Sequence, residues 1–217
     1  MFSVAIDIGG TFTDVVISDQ RNKFFISKTP STPKDPSISF IEAIKIALNL
    51  ADTNPELIEL VLHGSTIATN SILENDFSKT ALITTDGFKH ILEIGRAEIP
   101  REENLYSWKK PMRPIFTKDI FEISERTNKN GKVEKKINLK ELKQIIKKLI
   151  NEKYISIAVV FLHSYLNSNN EKYVLKEIKK HFSHYTLSSE VLPIFREYER
   201  LSVTLLNALI QPIVGNY

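Results

Sequence analysis

The fold of this chain is decided by the stretch Ala5-Ile6-Asp7-Ile8-Gly9-Gly10-Thr11-Phe12-Thr13-Asp14. A short apolar run that ends in a carboxylate is followed by two glycines and a second β-branched run, which predicts two strands around a tight turn. Glycine lets backbone N–H groups approach oxygen atoms closely, and this is what a phosphate site requires. The stretch therefore predicts a phosphate-binding loop, with a Gly-Gly hairpin whose amides are satisfied by Asp7 as the structural alternative.

Specific roles follow from the residue types in this loop. Four residues offer backbone N–H groups or hydroxyls to phosphate: Gly9, Gly10, Thr11 and Thr13. Asp7 is predicted to face a magnesium ion through water, because magnesium gives up its hydration shell reluctantly. Asp14 is a candidate for positioning water or metal, or for bonding backbone amides at a strand edge. The stretch lacks the Gly-Lys-Ser/Thr ending of a Walker loop and the strand-then-helix order of a Rossmann fingerprint.

A second polar segment follows a predicted strand over residues 57–62 and precedes a predicted helix over residues 67–74. His63 is a candidate catalytic residue whose ring nitrogen meets a substrate oxygen, with capping as the alternative. Ser65 and Thr66 are predicted to bind phosphate, because the first N–H groups of a helix favour an anion. Ordinary helix capping explains the two hydroxyls equally well.

Composition limits the classes of protein that remain. The 217 residues include 42% hydrophobic residues, enough to bury a core, and a net charge of only +3 gives no argument for nucleic acid binding. The absence of cysteine removes disulfides, thiolate zinc sites and cysteine nucleophiles. We expect no signal peptide and no membrane contact, since no window approaches the roughly 18 uncharged apolar residues of a span. These features predict a cytoplasmic protein.

The remaining pattern alternates strands with helices. A third strand is predicted over residues 24–28, and a helix begins after Asp35 with Pro36 at its first position. Later strands are predicted over 80–84, 119–126 and 155–162, and later helices over 139–151, 169–181 and 197–209. Residues 96–116, which contain three prolines, are predicted to be an irregular excursion. Such alternation favours an α/β fold with a largely parallel sheet covered on both faces.

The decapeptide resembles the first phosphate motif of the superfamily that contains acetate and sugar kinases and actin, and its wording DIGGTFTD is similar to the hydantoinase A and 5-oxoprolinase family. Five further matches follow in order along the chain: HGSTIATN at 63–70, TTDGF with EIGR at 84–96, ER at 125–126, LHSY at 162–165 and EYER at 197–200. Ser65 stands where the family usually has threonine, and the loop after EIGR is shorter than usual. Six ordered matches identify the chain as a member of this family.

The resemblance implies an α/β fold of the actin-like (ribonuclease H-like) ATPase type: one lobe with a mixed sheet flanked by helices, and a second small α/β portion. It implies an N-terminal domain over residues 1–195, with a sub-boundary near 96–118, and the start of a following domain at 196–217. It also implies ATP and Mg²⁺, used to activate the carbonyl of a cyclic amide such as 5-oxoproline or a hydantoin for ring opening. Phosphorylating the carbonyl oxygen removes amide resonance, which otherwise makes an unstrained lactam a poor electrophile.

The resemblance also suggests what the chain works with. Glu93 and Arg96 fall in the EIGR match and are candidate catalytic residues on the substrate side, or else an ordinary surface pair. In the EYER match, Glu197, Glu199 and Arg200 have helix-surface spacing and predict an ion-pair network that joins the two lobes. Family members are several times longer, so we expect a second polypeptide or a C-terminal region to supply the other lobe, with a hydantoinase B-type subunit as a further partner. The alternatives are a non-catalytic assembly module and a subunit of a related ketone carboxylase.

Overall fold

The computed structural model describes residues 1–32, 35–96 and 113–216, and these residues form two compact units. The first unit comprises Met1–Asp76 with Ile213–Tyr217, and the second comprises Phe77–Pro212. Each unit is built on a four-stranded sheet and has its own apolar core. The predicted α/β class is confirmed, and the second α/β portion is the larger of the two.

The sheet of the first unit is mixed, as the resemblance implies. Its elements, in chain order, are β1 (Phe2–Ile8), β2 (Phe12–Asp19), β3 (Phe24–Pro30), α1 (Pro36–Leu50), β4 (Ile58–Ser65) and α2 (Ile67–Glu74). The strand order is β3-β2-β1-β4. β2 runs antiparallel to both of its neighbours, whereas β1 and β4 are parallel. Because β4 runs parallel to its neighbour β1, the carboxyl ends of the two strands lie side by side.

Period-two alternation decides which face of this sheet is buried. Alternate residues of β1 and β2 pack against Ala43 and Ala47 of α1: Val4, Ile6, Ile8, Val15 and Ile17. The residues between them, such as Asp7 and Asp14, lie on the opposite face, which we call the outer face. α1 begins as predicted, because the Asp35 side chain accepts a hydrogen bond from the Ser37 N–H at 3.1 Å.

The second unit contains a parallel sheet of four strands, β5 (Thr80–Thr85), β6 (Ile120–Ile123), β9 (Ser156–Val160) and β10 (His184–Leu187). Their order in the sheet is β10-β9-β5-β6. Two further strands, β7 (Arg126–Thr127) and β8 (Val133–Lys135), form a separate antiparallel ribbon. Its helices are α3 (Ile91–Ile94), α4 (Leu139–Asn151), α5 (Asn169–Ile178), α6 (Ser188–Val191) and α7 (Glu197–Asn216). α4 and α5 cover one face of the sheet and α7 covers the other. Both faces are therefore buried, as the apolar strands predicted.

Several element boundaries differ from the sequence-based ones. β4 extends three residues further, through His63-Gly64-Ser65, and α7 continues past Pro212 to Asn216. Most of the predicted excursion over 96–116, and most of the predicted sub-boundary near 96–118, lie outside the described residues. The domain limits at 195 and 196 stay a prediction. In the described parts of the chain, no helix has the length and apolar character needed to cross a membrane.

Candidate functional site

The two matched segments of the first unit meet at the carboxyl ends of β1 and β4. The parallel register sets Ile8 beside Ser65 and Asp7 beside Gly64. The Thr66 N–H donates to the Ile8 carbonyl oxygen at 3.3 Å, which continues the pairing into the first turn of α2. The loop between β1 and β2 and the start of α2 are therefore neighbours. Carboxyl ends of parallel strands are the usual place for ligands in α/β folds.

The loop between β1 and β2 presents two available N–H groups. The Gly9 N–H donates to the Phe12 carbonyl oxygen at 2.9 Å, and the Thr11 carbonyl oxygen accepts from the Ser31 N–H at 2.9 Å. The N–H groups of Gly10 and Thr11 donate to no acceptor among the described residues. Both residues are exposed. Two successive backbone donors of this kind form a site for an oxyanion.

The side chain of Asn70 on α2 approaches Gly10 closely. A Cβ atom at Gly10 would lie 2.9 Å from Nδ2 of Asn70, which in turn donates to Oγ1 of Thr66 at 3.3 Å. Asn70 closes the matched segment 63–70, and its side chain brings that segment into contact with the glycine loop.

Two carboxylates face each other beside the loop. Asp7 and Asp14 are directly opposite in the antiparallel register of β1 and β2, on the outer face. Lys28, opposite Asp14 on β3, places its Nζ 3.2 Å from Oδ1 of Asp14. Gly64 lies beside Asp7, and a Cβ there would be in ordinary van der Waals contact with Oδ1 of Asp7 at 3.6 Å. Asp7, Asp14 and Gly64 are among the residues lining a depression of about 330 Å³. Lys28 belongs to no recognisable motif, and its position beside Asp14 follows only from the pairing of β2 with β3.

This arrangement suits a magnesium ion only with help from other ligands. Among the described residues, no group of three or more His, Asp or Glu side chains is placed to hold a metal. The contact of Asp7 with a magnesium ion through water therefore stays a prediction. Asp14 is already partnered by Lys28, which reduces the net charge that a cation would meet.

His63 lies on the other side of the sheet from Asp7. Its register partner is Ile6, which packs toward α1, and the His63 ring contacts Phe40 edge to face at 6.0 Å between centroids. Strand alternation places Gly64, and not His63, beside Asp7. The structure thus does not bring this candidate catalytic histidine together with the two carboxylates.

Thr13 is also separated from the loop surface. Its side chain is fully buried, and its hydroxyl donates to Oγ of Ser39 at 3.1 Å and lies 3.0 Å from Oγ of Ser31. Ser31 Oγ is also 2.8 Å from the Gly9 carbonyl oxygen. The predicted phosphate contact through the Thr13 hydroxyl is wrong in this conformation, because Thr13 occupies an inward position of β2. Through Ser31, the Thr13 hydroxyl is linked by hydrogen bonds to the backbone of the loop.

The two hydroxyls at the start of α2 remain close to the loop. Ser65 Oγ accepts from the Ile67 N–H at 3.3 Å, but the N-cap residue of α2 is Thr66, whose side chain makes no cap hydrogen bond. Thr66 Oγ1 accepts from Asn70. Both residues are exposed beside the loop. Their contact with phosphate stays a prediction.

Glu93 and Arg96 lie in the second unit. Arg96 forms a bidentate ion pair with Glu199, at 2.9 Å from Nε to Oε1 and 2.5 Å from Nη2 to Oε2. This pair joins the EIGR match to the EYER match, and the hydrogen bond from Arg96 is the main cause that lowers the pKa of Glu199. A carboxylate oxygen of Glu93 accepts from Nδ1 of the His90 ring at 2.9 Å, and the other lies 3.6 Å from Nη1 of Arg113.

A mainly apolar depression adjoins this ion pair. It has a volume of about 270 Å³ and is lined by Phe88, Ile91, Ile94, Gly95, Arg96, Glu197 and Tyr198. Gly95 adopts φ +60° and ψ −147°, a conformation essentially restricted to glycine. An apolar lining with a few oriented polar groups is typical of sites for small molecules.

Two other matched segments supply the buried polar interior of the second unit. Arg200 is fully buried and donates to the Phe161 carbonyl oxygen at 2.8 Å and the Ile194 carbonyl oxygen at 3.0 Å. Burial lowers the pKa of its guanidinium. Glu199 pairs with Arg96 and Arg196 within the second unit, so a network that joins the lobes stays a prediction, whereas Arg200 donates to backbone carbonyls.

Glu125 of the ER match has a similar structural position. It is buried and accepts hydrogen bonds from the Thr85 hydroxyl and, at 2.6 Å, from Nδ2 of Asn170. Burial raises the pKa of this carboxyl, against the two hydrogen bonds, which lower it. Glu125 links the ends of β5 and α5, and we assign it no chemistry.

Known proteins resemble this chain across both of its units. An uncharacterized protein of Methanocaldococcus jannaschii is 39% identical over 222 residues, covering 100% of this chain and 32% of the relative. Caprolactamase subunit alpha of Pseudomonas jessenii is 27% identical and is also covered over 32% of its length. The crystal structure of ATP-dependent caprolactamase from Pseudomonas jessenii superposes with a TM-score of 0.85 at 24% identity, over 99% of this chain and 32% of that one, so the two share a fold.

The chain thus spans about a third of the length of these curated relatives. The family model described as the hydantoinase/oxoprolinase N-terminal region matches residues 3–182. That range includes the glycine loop, the start of α2, and both Glu93 and Arg96. The chain belongs to the hydantoinase/oxoprolinase N-terminal region family.

Proposed function

We propose that this chain is the phosphate-binding module of an ATP-dependent enzyme that opens cyclic amides. The observation that carries the proposal is the pair of available N–H groups at Gly10 and Thr11, with Asp7 beside them at the carboxyl ends of β1 and β4. Family membership supports the reaction class, and the caprolactamase relative supports a lactam as the kind of substrate.

The residues of the first unit would each have a distinct task. The Gly10 and Thr11 N–H groups would bind oxygens of the terminal phosphates, and Asp7 would hold a hydrated Mg²⁺ against them. Thr66 would extend the anion site with the first N–H groups of α2. ATP would supply its terminal phosphoryl group to the amide oxygen and leave as ADP. One water molecule would then add to the activated carbon as the ring C–N bond breaks, and a second would release the phosphate. Positioning and charge stabilisation are the main contributions a protein makes to phosphoryl transfer.

We propose that the depression beside Arg96 receives the cyclic amide. Its isoleucine and aromatic lining suits the methylene groups of a lactam ring. The Arg96 guanidinium is held at the edge of this lining by Glu199, and its positive charge would favour the amide oxygen. Glu93, paired with His90, would orient the substrate side of the site. Which lactam or hydantoin is bound depends on this lining.

The rest of the enzyme would come from another part of the polypeptide or from another chain. The relatives are about three times as long as the matched segment, and one of them is named as a subunit. A second polypeptide supplying the other lobe and a hydantoinase B-type subunit are therefore our proposed partners. We place the assembly in the cytoplasm.

Asp7→Asn tests the role of the outer-face carboxylate. Titrated calorimetrically with ATP, the wild-type chain should bind more tightly in Mg²⁺ than in EDTA. We expect Asp7→Asn to weaken binding in Mg²⁺ by about tenfold or more and to remove the difference between the two buffers.

The matched control is Asp52→Asn, an exposed aspartate that follows α1 and should leave both titrations unchanged. Unaltered magnesium dependence in Asp7→Asn would refute the assigned role of Asp7.

A further inference from the structure

The two glutamates of the EYER match differ in their partners. Glu199 forms the bidentate ion pair with Arg96 and also lies 3.8 Å from Arg196. Glu197 is partly buried and lines the depression of about 270 Å³ to which Arg96 also belongs. Within the described parts of the chain, its carboxylate makes no hydrogen bond and no ion pair. The lone pairs of Glu197 are therefore available to a ligand in the depression.

The guanidinium of Arg200 is a neighbouring charge but does not occupy this carboxylate. Burial lowers the pKa of Arg200, and the charges of Glu171 and Glu197 oppose this effect. The N–H groups of Arg200, however, donate to the carbonyl oxygens of Phe161 and Ile194. Arg200 is thus committed to the backbone, and Glu197 keeps its capacity to accept.

A cyclic amide presents its two polar groups on one side. A small ring forces the amide into the cis form, so that its N–H and its carbonyl oxygen point the same way, whereas an open-chain amide is almost always trans. A site for such a ring requires a positive group and an acceptor in one depression, next to an apolar surface. The charge of Arg96 and the carboxylate of Glu197 meet this requirement. The apolar surface is supplied by Phe88, Ile91 and Ile94.

We propose that Glu197 accepts a hydrogen bond from the ring N–H of the substrate, while Arg96 faces its carbonyl oxygen. The inference rests on the proposed function of this depression and deepens it, because it names the substrate class as cyclic amides with a free N–H. An N-alkylated ring or a cyclic ketone lacks the donor and would leave the Glu197 carboxylate desolvated without a partner. The depression therefore selects a lactam or a hydantoin against a ketone.

Caprolactam and cycloheptanone test this selection, because the two rings have the same size and differ only in N–H or CH₂ beside the carbonyl group. Each is titrated into the full ¹⁵N-labelled chain while the amide signals of Gly95 and Tyr198 are followed. We expect caprolactam to bind more tightly by about tenfold or more. Apolar contact alone would favour the ketone, because its CH₂ group is the more apolar of the two.

Glu197→Ala should remove the preference. Caprolactam binding should weaken about tenfold or more, whereas cycloheptanone binding should stay the same or tighten, because no carboxylate is then desolvated. Binding of the ketone also shows that the depression is intact in the variant. The matched control is Glu190→Ala, which removes an exposed glutamate of α6 outside the depression and should alter neither titration.

The possible failures are distinct. Equal or tighter binding of cycloheptanone by the unmodified chain, or a preference for caprolactam that survives in Glu197→Ala, would refute the role of Glu197 and leave the depression as the substrate site. The absence of shifts at Gly95 and Tyr198 with both rings would refute the depression as the substrate site, and the role of Glu197 with it. No titration contains ATP, so neither failure bears on the phosphate site.

Discussion

Replacing Arg200 with alanine is expected to lower the free energy of unfolding of the second unit by about 3 kcal/mol. The side chain is fully buried and donates to two carbonyl oxygens, those of Phe161 and Ile194. Alanine leaves both acceptors without these donors and opens a cavity between α7 and the end of β9. Part of the loss is offset, because a guanidinium no longer has to be desolvated.

Arg196→Ala is the matched control for this measurement. It removes the same side chain one turn earlier, where Arg196 is more than half exposed and only 3.8 Å from Glu199. An exposed ion pair of this kind contributes at most about 1 kcal/mol. Urea denaturation followed by circular dichroism compares the two variants. Similar midpoints for both would contradict the structural role assigned to Arg200.

Gly10→Val is expected to have the largest effect on nucleotide binding, weakening it by about a hundredfold or more. The first added carbon would lie 2.9 Å from Nδ2 of Asn70, and the two methyl groups would cover the N–H groups offered to phosphate. Calorimetric titration with ATP in Mg²⁺ measures the loss. The same change should also destabilise the first unit, because the loop or Asn70 must shift.

The double variant Gly10→Val with Asn70→Ala separates these two effects. Removing the Asn70 amide makes room for the added carbon, so the stability lost in Gly10→Val should largely return. Binding should stay lost, since the methyl groups still cover the loop. Recovery of binding in the double variant would show that the close approach of Asn70, and not phosphate access, is the reason for glycine at this position.

The sequence predicts those helices and turns whose end residues, such as a capping aspartate or a pair of glycines, favour the structure by themselves. Asp35 before Pro36 predicted the start of α1, and Ile67 to Glu74 is the helix observed as α2. The two glycines predicted the turn between β1 and β2. In each case, the residues that decide the structure are adjacent in the chain, and no distant contact is needed to interpret them.

Positions that depend on register were not predictable in this way. The chemistry of their side chains makes Thr13 a candidate for phosphate binding and His63 a candidate for catalysis. Alternation along β2 and β4, however, turns both side chains toward α1. Lys28 reaches the site only because it pairs with Asp14. The sequence of a strand indicates which residues share a face but not which face is buried. The packing of α1 against the sheet decides that Thr13 and His63 lie on the covered face.

The burial of Arg200 and the division into two units also needed the structure. Helical spacing placed Arg200 and Glu199 in one surface network, but successive helix positions differ by about 100° and only Arg200 turns to the sheet. No proline- or glycine-rich linker separates Asp76 from Phe77, where the units divide. The sequence therefore predicts the α/β class and, through the resemblance, a second α/β portion, but not a division at Asp76 and Phe77.

The central claim is that the loop between β1 and β2 binds the phosphates of a nucleotide. It is tested most directly by NMR titration of the full chain, labelled with ¹⁵N, with ATP and Mg²⁺ up to about 10 mM, a range that detects weak binding. We predict that the amide signals of Gly10, Thr11 and Thr66 shift most, and that the shifts shrink in EDTA. Shifts confined to other residues, or none at these three amides, would contradict the account.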